Sequence, residues 1–117
     1  MSHDVYPAGS AELSHKRHEL APDTDTAFRA FSKQVFADGA ISAKTKQIIA
    51  VAVAHVTQCP YCIRGHTKGA LRAGATAEEL MEAIWVAAEM RAGAAFAHAT
   101  IALSEVAAGR TGSGEHG

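Results

Sequence analysis

Apolar residues recur along this chain at steps of three and four, which is the period of a helix rather than of a strand. Phe28, Phe31, Val35 and Phe36 form one such face. Pro22-Asp23-Thr24-Asp25 precedes it as a helix-start signal, with acidic groups set to meet the positive end of the helix dipole. Asp38-Gly39 closes it, so a helix is expected over roughly 24–37. Ser42 reads as the N-cap of a second helix over roughly 43–57. Residues 48–56 of that helix are almost all apolar, so it must be covered on most sides. In a chain this short, that much covering points to help from a second subunit.

Thr57-Gln58 interrupts the apolar run, and Pro60 suits the first turn of a third helix because its missing N–H has no partner there. That helix is expected over roughly 60–73, with Gly74 as its left-handed terminator. Thr76-Ala77-Glu78-Glu79 has the form of a capping box. It opens a fourth helix bearing Leu80, Ile84, Ala87, Ala88 and Met90. Gly93 is expected to break or kink the pattern, with a fifth helix over 94–107. Residues 1–21 show little periodicity and read as an arm, or a short helix at best. Residues 109–117 read as a tail, leaving one helical domain over 22–108.

Composition supports an all-α fold of about five to six helices. The chain has 117 residues, 48% of them apolar and only 6% aromatic, with β-branched residues in short groups rather than alternating. A formal net charge of -1 supplies no basic field for nucleic acid or for a membrane surface. No apolar run is long enough to span a bilayer, and the first residues lack the layout of a secretory signal. A cytoplasmic setting is therefore expected. There a close cysteine pair is more often catalytic or metal-binding than a structural staple.

Both cysteines lie in Cys59-Pro60-Tyr61-Cys62, and His66 follows four residues later. Cys59 at a helix start is placed where unpaired N–H groups and the dipole favour a thiolate. Cys62 is one turn in, and His66 is one turn further on the same face, where it can take or return the Cys62 proton. By this geometry His66 serves Cys62, and Cys59 is the more exposed partner. A thiolate, a resolving thiol and a proton carrier are the parts that dithiol exchange needs. The same three residues are alternatively ligands of a zinc ion in a metal-binding or redox-sensing module. A closed structural site wants a fourth ligand, for which only His55 or His98 is at hand. Without a ligand role, His55 reads as a cation at a helix C-terminus and His98 as a hydrogen-bonded core residue. Arg64 and Lys68 follow the motif and could bind an anionic substrate, but solvated surface charge is their default reading.

The order Lys46-Gln47-Ile48-Ile49, Cys59-Pro60-Tyr61-Cys62-Ile63, His66-Thr67-Lys68 and Gly74-Ala75-Thr76-Ala77-Glu78-Glu79-Leu80 resembles the carboxymuconolactone decarboxylase superfamily, on its alkylhydroperoxidase AhpD-like branch. The resemblance spans about residues 22–107. It implies an AhpD-like helical fold assembled as homotrimers or homohexamers. It also implies a thiol-dependent peroxidase or disulfide reductase acting in antioxidant defence. Cys59 and Cys62 would cycle between dithiol and disulfide, with His66 as proton relay and no cofactor or metal. The expected partners are a small peroxide or disulfide substrate and a thiol reductant, small or protein. The branch carries a glutamate where this chain has Gln47, and can carry a histidine where it has Tyr61. Both changes remove proton-transfer groups, so dithiol chemistry is the firmer expectation and peroxide turnover the weaker one. Gln47, His55 and Tyr61 are thus the remaining candidates for a relay or pocket role, with Glu89 as an acid that folding might bring in. A decarboxylase-like enzyme is the alternative activity within the superfamily.

Overall fold

The computed structural model describes residues 5–111, and among them there are five helices and no strand. They are α1 (Ala11–Leu20), α2 (Pro22–Phe36), α3 (Ala43–Thr57), α4 (Pro60–Arg72) and α5 (Ala77–Thr111). The expected bounds of α2, α3 and α4 match these to within two residues, because each carries its own start and stop chemistry. Ser42 caps α3 by accepting from the Thr45 N–H at 3.1 Å. The capping box at α5 is reciprocal: Thr76 Oγ1 accepts from the Glu79 N–H, and Glu79 Oε1 accepts from the Thr76 N–H. Gly74 ends α4 at φ +99°, the Gly74 N–H donating to the Leu71 carbonyl and the Ala75 N–H to that of Ala70. These are the two bonds of a Schellman turn, and only glycine takes its backbone angle without strain.

Two expectations are corrected. The N-terminal segment is more than an arm, since residues 11–20 form a full helix capped by Ser10, whose Oγ accepts from the Leu13 N–H. Its apolar periodicity is almost nil, which is why the sequence pattern does not reveal it. Polar clasps hold it instead. The buried Asp25 carboxylate of α2 bonds His18 Nδ1 of α1 at 2.8 Å and Arg29 Nε at 2.7 Å, while Arg29 Nη2 donates to Ser14 Oγ.

The second correction concerns Gly93, where no break occurs and α5 runs unbroken through 35 residues. One glycine in a helix interior costs about 1 kcal/mol relative to alanine. Ala92, Ala94 and Ala95 around it are the best helix formers, so the helix continues. Residues 109–111, expected to lie in the tail, are instead the last residues of α5. Residues 112–117 lie outside the described residues.

The core is small and sits where α3 packs between α4 and α5. Val51, Ala70, Ala75 and Leu80 are buried together, with Ile48 and Ile84 packed against them. Val51 is fully enclosed and anchors α3 against α4. The apolar face expected on α2 exists, yet Phe28 and Phe31 on it are 65% and 64% exposed, largely uncovered by the described residues. No helix is long and apolar enough to cross a membrane among the described residues.

Candidate functional site

The site is built at the junction of α3 and α4. The α3 helix ends on Gln58, whose φ of 58° and ψ of 45° are left-handed. A non-glycine residue there holds backbone strain of order 1 kcal/mol. The turn is secured on both sides. The Cys59 N–H donates to the Ala54 carbonyl at 3.2 Å, and Arg91 Nη1 of α5 reaches across to the Val56 carbonyl at 2.8 Å. The chain thereby passes from α3 to α4 through only Gln58 and Cys59, with Cys59 at the N-cap of α4.

At that N-cap Cys59 Sγ accepts from the Cys62 N–H at 3.3 Å. Both cysteines are half-buried and neither is bridged. The pair polarises itself. Donation from the Cys62 side chain, then from backbone N–H groups, holds the Cys59 thiol below its ordinary pKa. Cys62 is pushed up, first by that same hydrogen bond to Cys59 and then by burial. One sulfur is thus set to be the thiolate and the other to remain a thiol.

His66 follows Cys62 by one helical turn, and its Nδ1–H donates to Gln47 Oε1 of α3 at 2.9 Å. A carbonyl oxygen has no proton to give, so in the neutral ring this bond selects the tautomer with Nδ1 protonated. Nε2 then carries the lone pair and is the nitrogen free to accept a proton. The imidazole is held from a second direction by Phe36, stacked at 4.9 Å between centroids and 23° between planes.

Gln47 has its own constraint. A Cβ on Gly69 would lie 2.8 Å from Gln47 Oε1, so the amide occupies the space that any larger residue would need. Cys62, His66 and Gly69 share one face of α4 at steps of four and three. Phe36, Gly69 and Arg91 are site residues that sequence reasoning does not single out. A glycine placed mid-helix, three residues after the histidine, was the one available signal.

The structure thus brings Cys59 together with Cys62, and Gln47 together with His66. His55 is not part of this set, since its Nδ1 bonds the Val51 carbonyl of its own helix at 2.7 Å. Glu89 is exposed on α5 beside Gly93, and Gln47 rather than Glu89 is the partner of His66. Tyr61 points away from the core and receives Tyr6 edge-on at 6.0 Å. Among the described residues, no three His, Cys, Asp or Glu side chains are grouped so as to hold a metal ion, so Cys59, Cys62 and His66 do not form a ligand set.

Residues 22–105 match the model of the carboxymuconolactone decarboxylase family, and the chain belongs to that family. It is 65% identical over 98 residues to "Uncharacterized protein 4 in cox locus" of Paracoccus denitrificans, covering 84% of this chain and 87% of that one. An uncharacterised protein of Cupriavidus necator is 37% identical over 86 residues, 74% of this chain and 76% of that one. Among solved structures, a protein from Methanobacterium thermoautotrophicum superposes with a TM-score of 0.67 at 37% identity, covering 71% of this chain and 93% of that one. An apo carboxymuconolactone decarboxylase family protein from Legionella pneumophila does so with a TM-score of 0.65 at 35% identity, covering 68% and 70%.

Proposed function

We propose that the protein is a thiol-dependent oxidoreductase of the AhpD-like kind, working through a Cys59–Cys62 dithiol/disulfide cycle in the cytoplasm. The observation that supports it is the opposed polarisation of the two sulfurs at one helix start, with Cys59 lowered and Cys62 raised. The Cys59 thiolate attacks a disulfide, or the oxygen of a peroxide, and the leaving thiolate or alkoxide takes up a proton. Cys62 then gives its proton to Nε2 of His66 and attacks the oxidised Cys59 sulfur. The intramolecular disulfide closes, with release of the second thiol or of water. Gln47 positions His66 for this step but cannot take over the proton. The relay therefore ends at the imidazole, which favours disulfide substrates over rapid peroxide turnover.

The exposed apolar faces of α2 and α5 support self-association, as a homotrimer or homohexamer, as part of the same reading.

A redox titration with thiol counting, run beside Cys59→Ser, tests the cycle. A reversible two-electron couple within roughly -200 to -300 mV, absent from the variant, is the expected result. Two thiols that never pair under mild oxidant would sink it. Decarboxylase activity that survives replacement of both cysteines would mark the alternative enzyme instead.

A further inference from the structure

The α4 helix has a second face beside the one that holds Cys62 and His66. Tyr61, Gly65 and Lys68 follow one another at steps of four and three, with Arg64 alongside. Ala8 and Gly9 of the N-terminal segment lie over this face and leave an open cleft of about 290 Å³. The edge-on contact of Tyr6 with Tyr61 holds that segment in place. An adjoining cleft of about 590 Å³ shares Ala8, Gly9 and Tyr61 and adds Arg17 of α1.

The charges around this space are one-sided. Arg17, Arg64 and Lys68 line the two clefts, and no described lining residue is acidic. No carboxylate lies within ion-pairing distance of any of the three among the described residues. Yet the chain as a whole is slightly acidic, with twelve carboxylate residues available to pair elsewhere. Unpaired cations around a concavity focus potential on an anion, and the volume is of small-molecule scale rather than that of a folded partner.

We propose that this cleft binds the carboxylate end of a low-molecular-weight thiol that reduces the Cys59–Cys62 disulfide, an inference that rests on the dithiol cycle above. Tyr61 adjoins Cys62 in the chain and Gly65 lies one turn beyond it, so a thiol anchored in the cleft approaches the Cys62 sulfur. Its thiolate attacks Cys62 Sγ, the S–S bond breaks, and Cys59 departs as a thiolate. The Cys62 thiol cannot donate while it is held in the mixed disulfide, but the backbone N–H groups of Cys62 and Tyr61 still face Cys59 and favour its departure as the anion. A second thiol attacks the mixed disulfide and releases the oxidised thiol as R–S–S–R. Cys62 leaves as a thiolate and takes up a proton. Two external thiols are oxidised for each protein disulfide reduced.

The test uses the full chain and a matched pair of reductants, glutathione and its diethyl ester, which share one thiol and differ in their carboxylates. Rates of thiol recovery are measured on oxidised wild type and on Arg64→Ala/Lys68→Ala, both checked for native helicity. The ratio of the glutathione rate to the ester rate is expected to fall by about three- to tenfold in the variant. In wild type the ratio is expected to shrink when salt is raised to about 0.5 M. An equal ratio in the two proteins overturns the proposal.

A non-reacting probe, S-methylglutathione, separates this result from the fate of the cycle itself. On the reduced protein it is expected to shift the amide resonances of Gly9, Tyr61 and Gly65 in wild type and not in the variant. If the cysteines never pair but these shifts appear, the anion site stands and the cycle fails. If they pair and the shifts are absent, the cleft assignment is wrong.

Discussion

At the scale of single residues, the chemistry depends on which atom of His66 is free. The Gln47 amide oxygen can only accept the Nδ1 bond, so it sets which nitrogen of the neutral ring carries the proton and takes no proton itself. In that tautomer the Nε2 lone pair is the one available to take the proton of a thiol whose own pKa is raised, as that of Cys62 is. Gly69 is what leaves room for this amide. In most helices Gly→Ala stabilises by about 1 kcal/mol. Here the new methyl group displaces the Gln47 amide and removes a hydrogen bond of about 1 kcal/mol net. Gly69→Ala is therefore expected to leave global stability within about 1 kcal/mol of wild type, while nitrogen NMR shows His66 as a mixture of tautomers. Disulfide closure by Cys62 should slow with it. A variant that gains stability and keeps the Nδ1–H tautomer would remove Gly69 from the site.

At the scale of elements, α1 and α2 are joined by charge rather than by apolar packing, with Asp25 as the shared acceptor for His18 and Arg29. The Arg29 hydrogen bond, then that of His18, holds the Asp25 carboxyl below its ordinary pKa. A depressed folded-state pKa stabilises the fold above the unfolded value near 4. That contribution is lost as pH falls through the folded-state value. The protection factors of the α1 amides, which remove the intrinsic pH dependence of exchange, are therefore expected to stay flat, as far as Asp25 governs them, from about pH 5 upward and to fall in acid below about pH 4. Asp25→Asn should abolish this acid step and quicken α1 exchange at neutral pH. An acid step unchanged in Asp25→Asn would assign it to other carboxylates.

At the scale of the whole molecule, the chain is extended. Its radius of gyration is 20.9 Å, against about 13 Å for a compact chain of this length. The 35 residues of α5 extend roughly 52 Å, well past the core they help to form. Along them Trp85, Met90, Phe96, Ile101 and Leu103 are all more than 60% exposed, as are Phe28 and Phe31 on α2. Exposed apolar surface of this extent supports the self-association proposed above. A net charge of -1 gives copies of the chain little reason to repel. Light scattering after gel filtration is expected to give three or six chains per particle, and Phe96→Glu/Ile101→Glu should lower that number. A wild-type monomer at micromolar concentration would refute self-association through these faces.

How much of this was legible in advance follows from the range over which each feature is encoded. Helical type, the limits of α2, α3 and α4, the Ser42 and Thr76–Glu79 caps and the placing of Cys59 at a helix start are all local. They depend on hydrogen bonds and apolar steps that span a few residues, and those patterns lie on the surface of the sequence. The α1 helix escaped because Asp25, which holds it, lies beyond its end. Gly93 misled because a local penalty of about 1 kcal/mol was outweighed by the alanines around it. Only the tertiary structure paired Gln47 with His66, nineteen positions apart, seated the amide over Gly69 and laid Phe36 on the imidazole. Such pairings depend on how α2, α3 and α4 pack. That packing is set by Val51, Ala70 and Leu80 in the core, not by any pattern along one element.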